Sequence, residues 1–333
     1  MTLKSIILSR TDSLGDVVLS LPVAGAIKKQ DASIKVLFIG RTYSKSIIEA
    51  SEFVDQFINF DELSKKTKTD QISFFQDINA NAIIHIFPQK EIAKLAKKSN
   101  ISIRIGTSHR LFHLLTCNRR VNLGRKNSDL HESQLNLKLL GPLSIKNNYS
   151  LGEISELYGF KKYVELNENV NGLISARRFN LILHPKSKGS AREWGLENFA
   201  ELIELLPENM YKIFVTGTKE EGSLMLDFLE KYKSRITDLT GTLSLAELLS
   251  FISKADGLVA ASTGPLHIAA ATGIKAIGIF APMRPIHPGR WKPIGKKADY
   301  VVLDKKCNDC KNGGLCNCIL SITPNQVYQK LIS

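Results

Sequence analysis

The sequence predicts an α/β protein in two halves, each a parallel sheet covered by helices, and three observations point there. Short apolar runs alternate with helix-length segments from residue 6 onward. That series gives way to a mixed pattern over residues 147–178 and restarts at residue 180. Late in the second half, one apolar run feeds directly into Ser-Thr-Gly-Pro and then a small-residue stretch.

Taken in order, residues 6–9 read as a strand, 16–29 as a helix, 35–39 as a strand and 43–50 as a helix. Strands follow at 56–60, 82–86 and 101–105, with helices between them, then a polar, irregular region over 119–129 and a helix over 132–140. The second series runs as strand 180–184, helix 196–206, strand 212–216 and helix 220–231, and restarts at Ile236. It ends with strands 257–261 and 276–280, and a helix over 323–332 opens on Thr323-Pro324. Two Rossmann-like halves of similar size result, with a cleft between the carboxyl ends of their strands. A chain of 333 residues that is 43% hydrophobic has enough apolar matter for a core in each.

The stretch Ser262-Thr263-Gly264-Pro265-Leu266-His267 reads as a phosphate cradle. A hydroxyl caps the helix, Pro265 suits its first turn, and the free N–H groups there attract an anion that Gly264 allows close to the backbone. An ordinary capped helix behind a core strand would look the same. After the first strand, Ser9-Arg10-Thr11-Asp12-Ser13-Leu14-Gly15-Asp16 places a carboxylate at a helix start, where it could take a proton from a hydroxyl or simply serve the helix. Neither G-x-G-x-x-G nor G-x-x-x-x-G-K-[ST] occurs at this turn, which counts against a nicotinamide enzyme or an ATPase. After the first strand of the second half comes His184-Pro185-Lys186-Ser187-Lys188-Gly189-Ser190-Ala191-Arg192-Glu193-Trp194-Gly195. Its three cations could neutralise a diphosphate, and Trp194 is expected to anchor the loop on the next helix.

With these residues in place, the chain resembles the heptosyltransferase family, glycosyltransferase family nine, whose members have the two-domain GT-B fold. Five ordered blocks carry the resemblance: ILSRTDSLGDVVLSLP (7–22), HPKSKGSAREWGLENF (184–199), DLTGTLSLAEL (238–248), STGPLHIAAATGIKAIGIFAP (262–282) and CILSITPNQV (318–327). It implies an acceptor-binding domain over 1–170 and a nucleotide-sugar-binding domain over 171–333, with a C-terminal helix that packs back on the N-terminal domain. The implied reaction moves heptose from ADP-heptose to the lipid A-linked inner core of lipopolysaccharide by single, inverting displacement. Position by position, Asp16 resembles the family's general base, with Arg10, Ser13 and Gly15 on the acceptor-side loop. Lys186, Ser187, Lys188, Arg192, Thr263, Gly264 and His267 resemble the donor-phosphate set, with Arg192 standing where the family usually has a lysine. Glu220 or Glu221 resembles the ribose contact and Leu243 part of the adenine wall. Ser262 departs from the pattern, because most members carry an aspartate there; a different nucleotide sugar, or a non-catalytic nucleotide-sugar-binding relative, is the alternative.

Four of five cysteines cluster as Cys307-x2-Cys310-x5-Cys316-x-Cys318, with Cys117 alone. Reduced or reversibly oxidised thiols are the expectation and a structural zinc the alternative; catalysis itself should need no cofactor. The net charge of +13 calls for an acidic partner, and the lysines look spread along the chain without the aromatic interleaving of a nucleic-acid binder. A phosphorylated glycolipid acceptor and an anionic membrane surface fit that charge, and nucleic acid is not expected. No leader or membrane span is apparent, so a monomer in the cytoplasm, peripherally bound to the inner face of the cytoplasmic membrane, is the expectation.

Overall fold

The computed structural model describes residues 3–125, 128–189, 191–283, 287–303 and 317–333. These fall into two compact units, Met1–Lys162 and Tyr163–Ser333, a division ahead of the 170/171 boundary read from the sequence.

The first unit holds six parallel strands: β1 (Ser5–Ser9), β2 (Lys35–Gly40), β3 (Gln56–Asn59), β4 (Ala82–His85), β5 (Ile103–Thr107) and β6 (Arg119–Val121). Their order is β3-β2-β1-β4-β5-β6. Central β1 is buried from Ile6 to Ser9, with Ile7 between Leu37 and Ile83, which is why it reads as an unbroken apolar run. The second unit holds β7 (Phe179–His184), β8 (Tyr211–Val215), β9 (Ile236–Asp238), β10 (Gly257–Ala261), β11 (Lys275–Phe280) and β12 (Ala298–Val302), in the order β12-β11-β10-β7-β8-β9. Counted within each unit, both orders are 3-2-1-4-5-6, so the chain reverses direction of growth between β1 and β4 and again between β7 and β10. In such sheets ligands gather at the carboxyl ends of the strands beside that reversal.

The structure corrects several boundaries. The region expected to be irregular contains β6, and β12 was not foreseen; each is the last edge strand of its sheet. The single helix expected over 16–29 is two, Leu14–Val18 and Leu21–Gln30, parted where the Ser20 hydroxyl donates to the Val17 carbonyl at 2.7 Å and Pro22 enters the next first turn. Likewise 220–231 divides into Lys219–Ser223 and Leu226–Lys231. The C-terminal helix Pro324–Ile332 buries Val327 and Leu331 in the second unit's own core, and Lys330 pairs with Asp299 there at 2.7 Å. Its apolar stripe is thus taken up by the core of its own unit. Among the described residues, no helix is long and apolar enough to cross a membrane.

Candidate functional site

In the first unit the chain leaves β1 at its carboxyl end and turns through Arg10–Ser13 into the helix Leu14–Val18, with Gly15 at its second position and Asp16 at its third. Arg10 lies beneath this turn, 1% exposed, and is the organising residue of the site. Its Nε and Nη2 donate to the two oxygens of Asp12 at 2.8 and 3.0 Å, and Nη2 also donates to Asp16. Its Nη1 donates to Glu132 at 3.2 Å and to Asn136 at 3.3 Å. Burial works against a charged guanidinium, but Asp16, Asp12 and Glu132 together outweigh it and hold Arg10 more firmly protonated than a free side chain. Asp12 is raised above the ordinary carboxylate range by burial, against the pull of Arg10.

Glu132 and Asn136 come from the helix Glu132–Leu137, whose inward face is polar: Glu132, Ser133 and Asn136 are all fully buried. Ser133 Oγ and Asn136 Nδ2 donate to the Leu19 carbonyl at 2.8 and 3.2 Å, bracing the end of the Asp16 helix. Arg125 joins from the same side, donating to Glu132 and, at 3.1 Å each, to the Ile86 carbonyl and Asn136. Asp16 is therefore held on both oxygens, Oδ1 by Arg10 and Oδ2 by the Ser13 hydroxyl, while its side chain keeps 18% exposure. Ser13 is replaceable by another hydroxyl; Arg10 is not, because it is sealed in. Arg10, expected on the acceptor-side loop, lies buried at its root with its guanidinium on Asp12, Asp16 and Glu132. Asp12, Arg125, Glu132 and Asn136 were not foreseen, although the spacing of Glu132 and Asn136 sets two polar groups on one helical face.

In the second unit β10 lies beside β7, with Ala260 level with His184, and β7 beside β8, with Leu183 level with Val215. This register brings the loops after β7, β8 and β10 to one edge. Thr263 caps the helix Gly264–Thr272 in extended conformation, with Pro265 at its second position. The Thr263 hydroxyl is buried and has no hydrogen-bond partner among the described residues, in a residue 4% exposed. A buried hydroxyl of this kind is costly unless something accepts or donates there, and the open N–H groups of a helix start beside it suit an anion. His267 lies one turn on, 4% exposed, and Ser262 is half-buried just before the cap.

The loop after β7 divides into two kinds of residue. Glu193 gathers Lys186 Nζ at 3.0 Å and the Ser187 N–H and hydroxyl, each at 3.1 Å, so Lys186 and Ser187 are tied into the loop itself. Lys188 stands exposed on a left-handed turn with Gly189, at φ 47° and 77°, and Arg192 is half-buried. Trp194 is fully buried, edge-on to Phe199 of the next helix at 4.9 Å, with Nε1 donating to the Ile322 carbonyl at 2.8 Å; it anchors the loop as expected. Below it, His184 meets the Thr216 hydroxyl at 3.0 Å and is held below the usual histidine range by burial, against Glu221 and Glu193.

After β8 the two candidate ribose contacts separate. The Glu221 carboxylate accepts from the Thr218 N–H at 2.8 Å, while Thr218 Oγ1 accepts from the Glu221 N–H at 3.2 Å, a reciprocal cap that occupies it. Glu220 is exposed and lowered, chiefly by backbone N–H donation at the helix start and by the Thr218 hydroxyl, with a smaller pull from Lys188. The structure thus gathers Lys188, Glu220 and Thr263 along one edge, and Leu243 lies half-buried in the loop after β9 at the far end of that same edge. Cys307, Cys310 and Cys316 lie outside the described residues; Cys318 is buried in the second core. Among the described residues, no group of three or more His, Cys, Asp or Glu could hold a metal ion.

A Haemophilus influenzae protein provisionally described as a glycosyltransferase is 29% identical over 311 residues, 90% of this chain and 88% of its own length. A glycosyltransferase family 9 structure from Veillonella parvula superposes with a TM-score of 0.79 at 18% identity, over 100% of this chain and 98% of the other. The ADP-heptose lipopolysaccharide heptosyltransferase II of E. coli gives 0.74 at 14% identity, over 99% and 98%. With these neighbours the two parallel-sheet units are those of the GT-B fold. The family profile described as glycosyltransferase family 9 (heptosyltransferase) matches residues 93–316, and the chain belongs to that family.

Proposed function

We propose that this glycosyltransferase moves heptose from ADP-heptose to the lipid A-linked inner core of lipopolysaccharide, with inversion and with Asp16 as general base. The observation that carries the reading is the posture of Asp16: one oxygen fixed by a sealed-in arginine, the other occupied by a serine hydroxyl that an acceptor hydroxyl can replace. The incoming hydroxyl gives its proton to Asp16 Oδ2 as its oxygen forms the bond to the anomeric carbon. The bond from that carbon to the phosphate oxygen breaks, and ADP leaves with the electron pair. The growing charge on the diphosphate is met by Lys188 and Arg192 and by the helix start at Thr263 and Gly264, with His267 one turn behind. Lys186 and Ser187 hold that loop in shape through Glu193, and Glu220 is the better placed of the two glutamates to take the ribose hydroxyls. The name of one neighbour supplies ADP-heptose and lipopolysaccharide, and the reading places the protein, as a monomer, at the anionic inner face of the cytoplasmic membrane.

Ser262 favours a second reading, transfer from another nucleotide sugar, since a hydroxyl replaces the charged acceptor that most members offer the sugar. A transfer assay with ADP-heptose and a panel of other nucleotide sugars, on inner-core lipid acceptors, separates the two. Product with ADP-heptose supports the first reading and product with another donor alone the second. Donor binding without turnover on any acceptor would overturn both in favour of a non-catalytic relative.

A further inference from the structure

The short helix Leu111–Thr116, which follows β5 in the first unit, is inside out. Its buried residues are His113 and Thr116, whereas Leu111, Leu114 and Leu115 are 84%, 50% and 75% exposed. The three leucines have the spacing of a single helical face, which in a helix packed on a sheet normally faces the core. The polar side is turned inward: His113 Nδ1 meets the Thr107 carbonyl at 3.1 Å, its ring lies against His85 with centroids 5.5 Å apart, and Thr116 Oγ1 donates to the Phe112 carbonyl at 2.7 Å. The outward leucines are therefore a fixed feature of the fold. Isolated exposed leucines need no explanation, but three on one face form an apolar patch.

The chain on either side of the patch is basic. Between Glu91 and Asp129 the sequence has no acidic residue and nine lysines or arginines, at positions 94, 97, 98, 104, 110, 119, 120, 125 and 126. That segment alone carries +9 (nine cations, no anions) of the chain's net +13. Arg110 caps the leucine helix and is exposed. Lys97 reaches across from the preceding helix to donate to the Leu115 carbonyl at 2.8 Å, beside exposed Lys94 and Lys98. Arg119 and Arg120 follow on the exposed edge strand β6. Because the sheet is parallel, the start of this helix, four residues past β5, lies at the same carboxyl edge as Asp16.

We propose that this surface docks on an anionic bilayer, the leucines entering the boundary between headgroups and acyl chains and the rim of lysines and arginines pairing with lipid phosphates. Leucines beside cations match the two layers of such a surface, whereas nucleic acid or a soluble polyanion would engage the cations and leave the leucines in water. Docking through the acceptor-side unit, at the edge that carries Asp16, would present the base to a sugar anchored in the membrane. That purpose rests on the proposed function; the surface does not.

The test is flotation of the purified full-length protein with acceptor-free vesicles, either of phosphatidylcholine alone or of phosphatidylcholine with phosphatidylglycerol. Binding is expected to the anionic vesicles and to fall with salt. The triple variant Leu111→Ser, Leu114→Ser, Leu115→Ser should weaken it by at least about tenfold, and so should Lys94→Gln, Arg110→Gln, Arg119→Gln, which also flattens the salt dependence. All six positions are exposed, so an unchanged circular dichroism melt checks that both variants fold. No binding by the wild type, or binding by both variants equal to it, overturns the proposal. So does a wild-type dimer that the leucine variant converts to monomer without loss of vesicle binding, which would make the patch a contact between copies. The vesicles hold neither donor nor acceptor, so the absence of heptose transfer leaves this result standing, and normal transfer with failed flotation removes the docking surface and the membrane location with it but leaves the transfer reaction standing.

Discussion

Replacing Arg10 by methionine probes the buried charge cluster on which the Asp16 geometry depends. The guanidinium donates to Asp12, Asp16, Glu132 and Asn136 from a position 1% exposed, and the Glu132 side chain has no exposure at all. Methionine fills much of the volume but leaves Asp12 and Asp16 without their cation, while Glu132 keeps Arg125. Removing one partner from a buried ion pair typically costs about 3–5 kcal/mol, and that range is expected at pH 7. Acidification should narrow the loss. A carboxylate stranded in the folded variant has its pKa raised above the unfolded value, so the folded variant binds more protons and gains stability relative to wild type as pH falls. The gain is at most about 1.4 kcal/mol per pH unit for each such group, so the gap should narrow measurably as pH falls from 7 toward 5. Both tryptophans, Trp194 and Trp291, belong to the second unit, so urea unfolding is best followed by far-ultraviolet circular dichroism, which also reports the first. A loss below about 1 kcal/mol that does not change with pH would refute the assignment of Arg10 as the counter-charge holding the cluster.

Two further outcomes follow from buried polar groups. Burial lowers His85 to about 3, with His113 and Arg104 adding to it, so this ring is uncharged when folded and accepts a proton below about 6.5 when unfolded. Its stabilising contribution is complete above that pH and is lost as pH falls toward 3, by about 2 kcal/mol at pH 5; His85→Leu should flatten this part of the stability profile, and an unchanged slope in urea titrations would contradict the burial argument. Thr263→Val removes a buried hydroxyl that has no partner among the described residues, so thermal stability should hold or rise slightly while ADP affinity, read by calorimetry, falls by about tenfold or more. Lost stability with unchanged ADP binding would assign that hydroxyl to the fold.

What the sequence disclosed follows burial. The inner strands β1, β4, β7 and β10 are apolar on both faces and stand out as runs, whereas β6 opens on Arg119-Arg120 and β12 keeps most side chains half-exposed, so neither edge carries a continuous apolar signal. The breaks at Ser20 and near Met225 were hidden because helical periodicity continues across them. Asp16 and Thr263 could be singled out as candidates because each sits in a short motif next to a strand end. The partners of Arg10 were not, since Glu132 and Asn136 lie more than a hundred residues downstream and only the folded chain sets them beside it. Similarly, the basic charge read as dispersed from its lysines is concentrated once arginines are counted and acids found missing over residues 92–128.

The central claim is that Asp16 takes the acceptor proton, and the most direct measurement is the single-turnover rate of heptose transfer by Asp16→Asn beside wild type, with ADP binding measured in parallel. Asparagine keeps the size and can still accept from Arg10 but cannot take the proton. The account predicts a rate lower by about a hundredfold to ten-thousandfold with ADP affinity unchanged; transfer at the wild-type rate would contradict it.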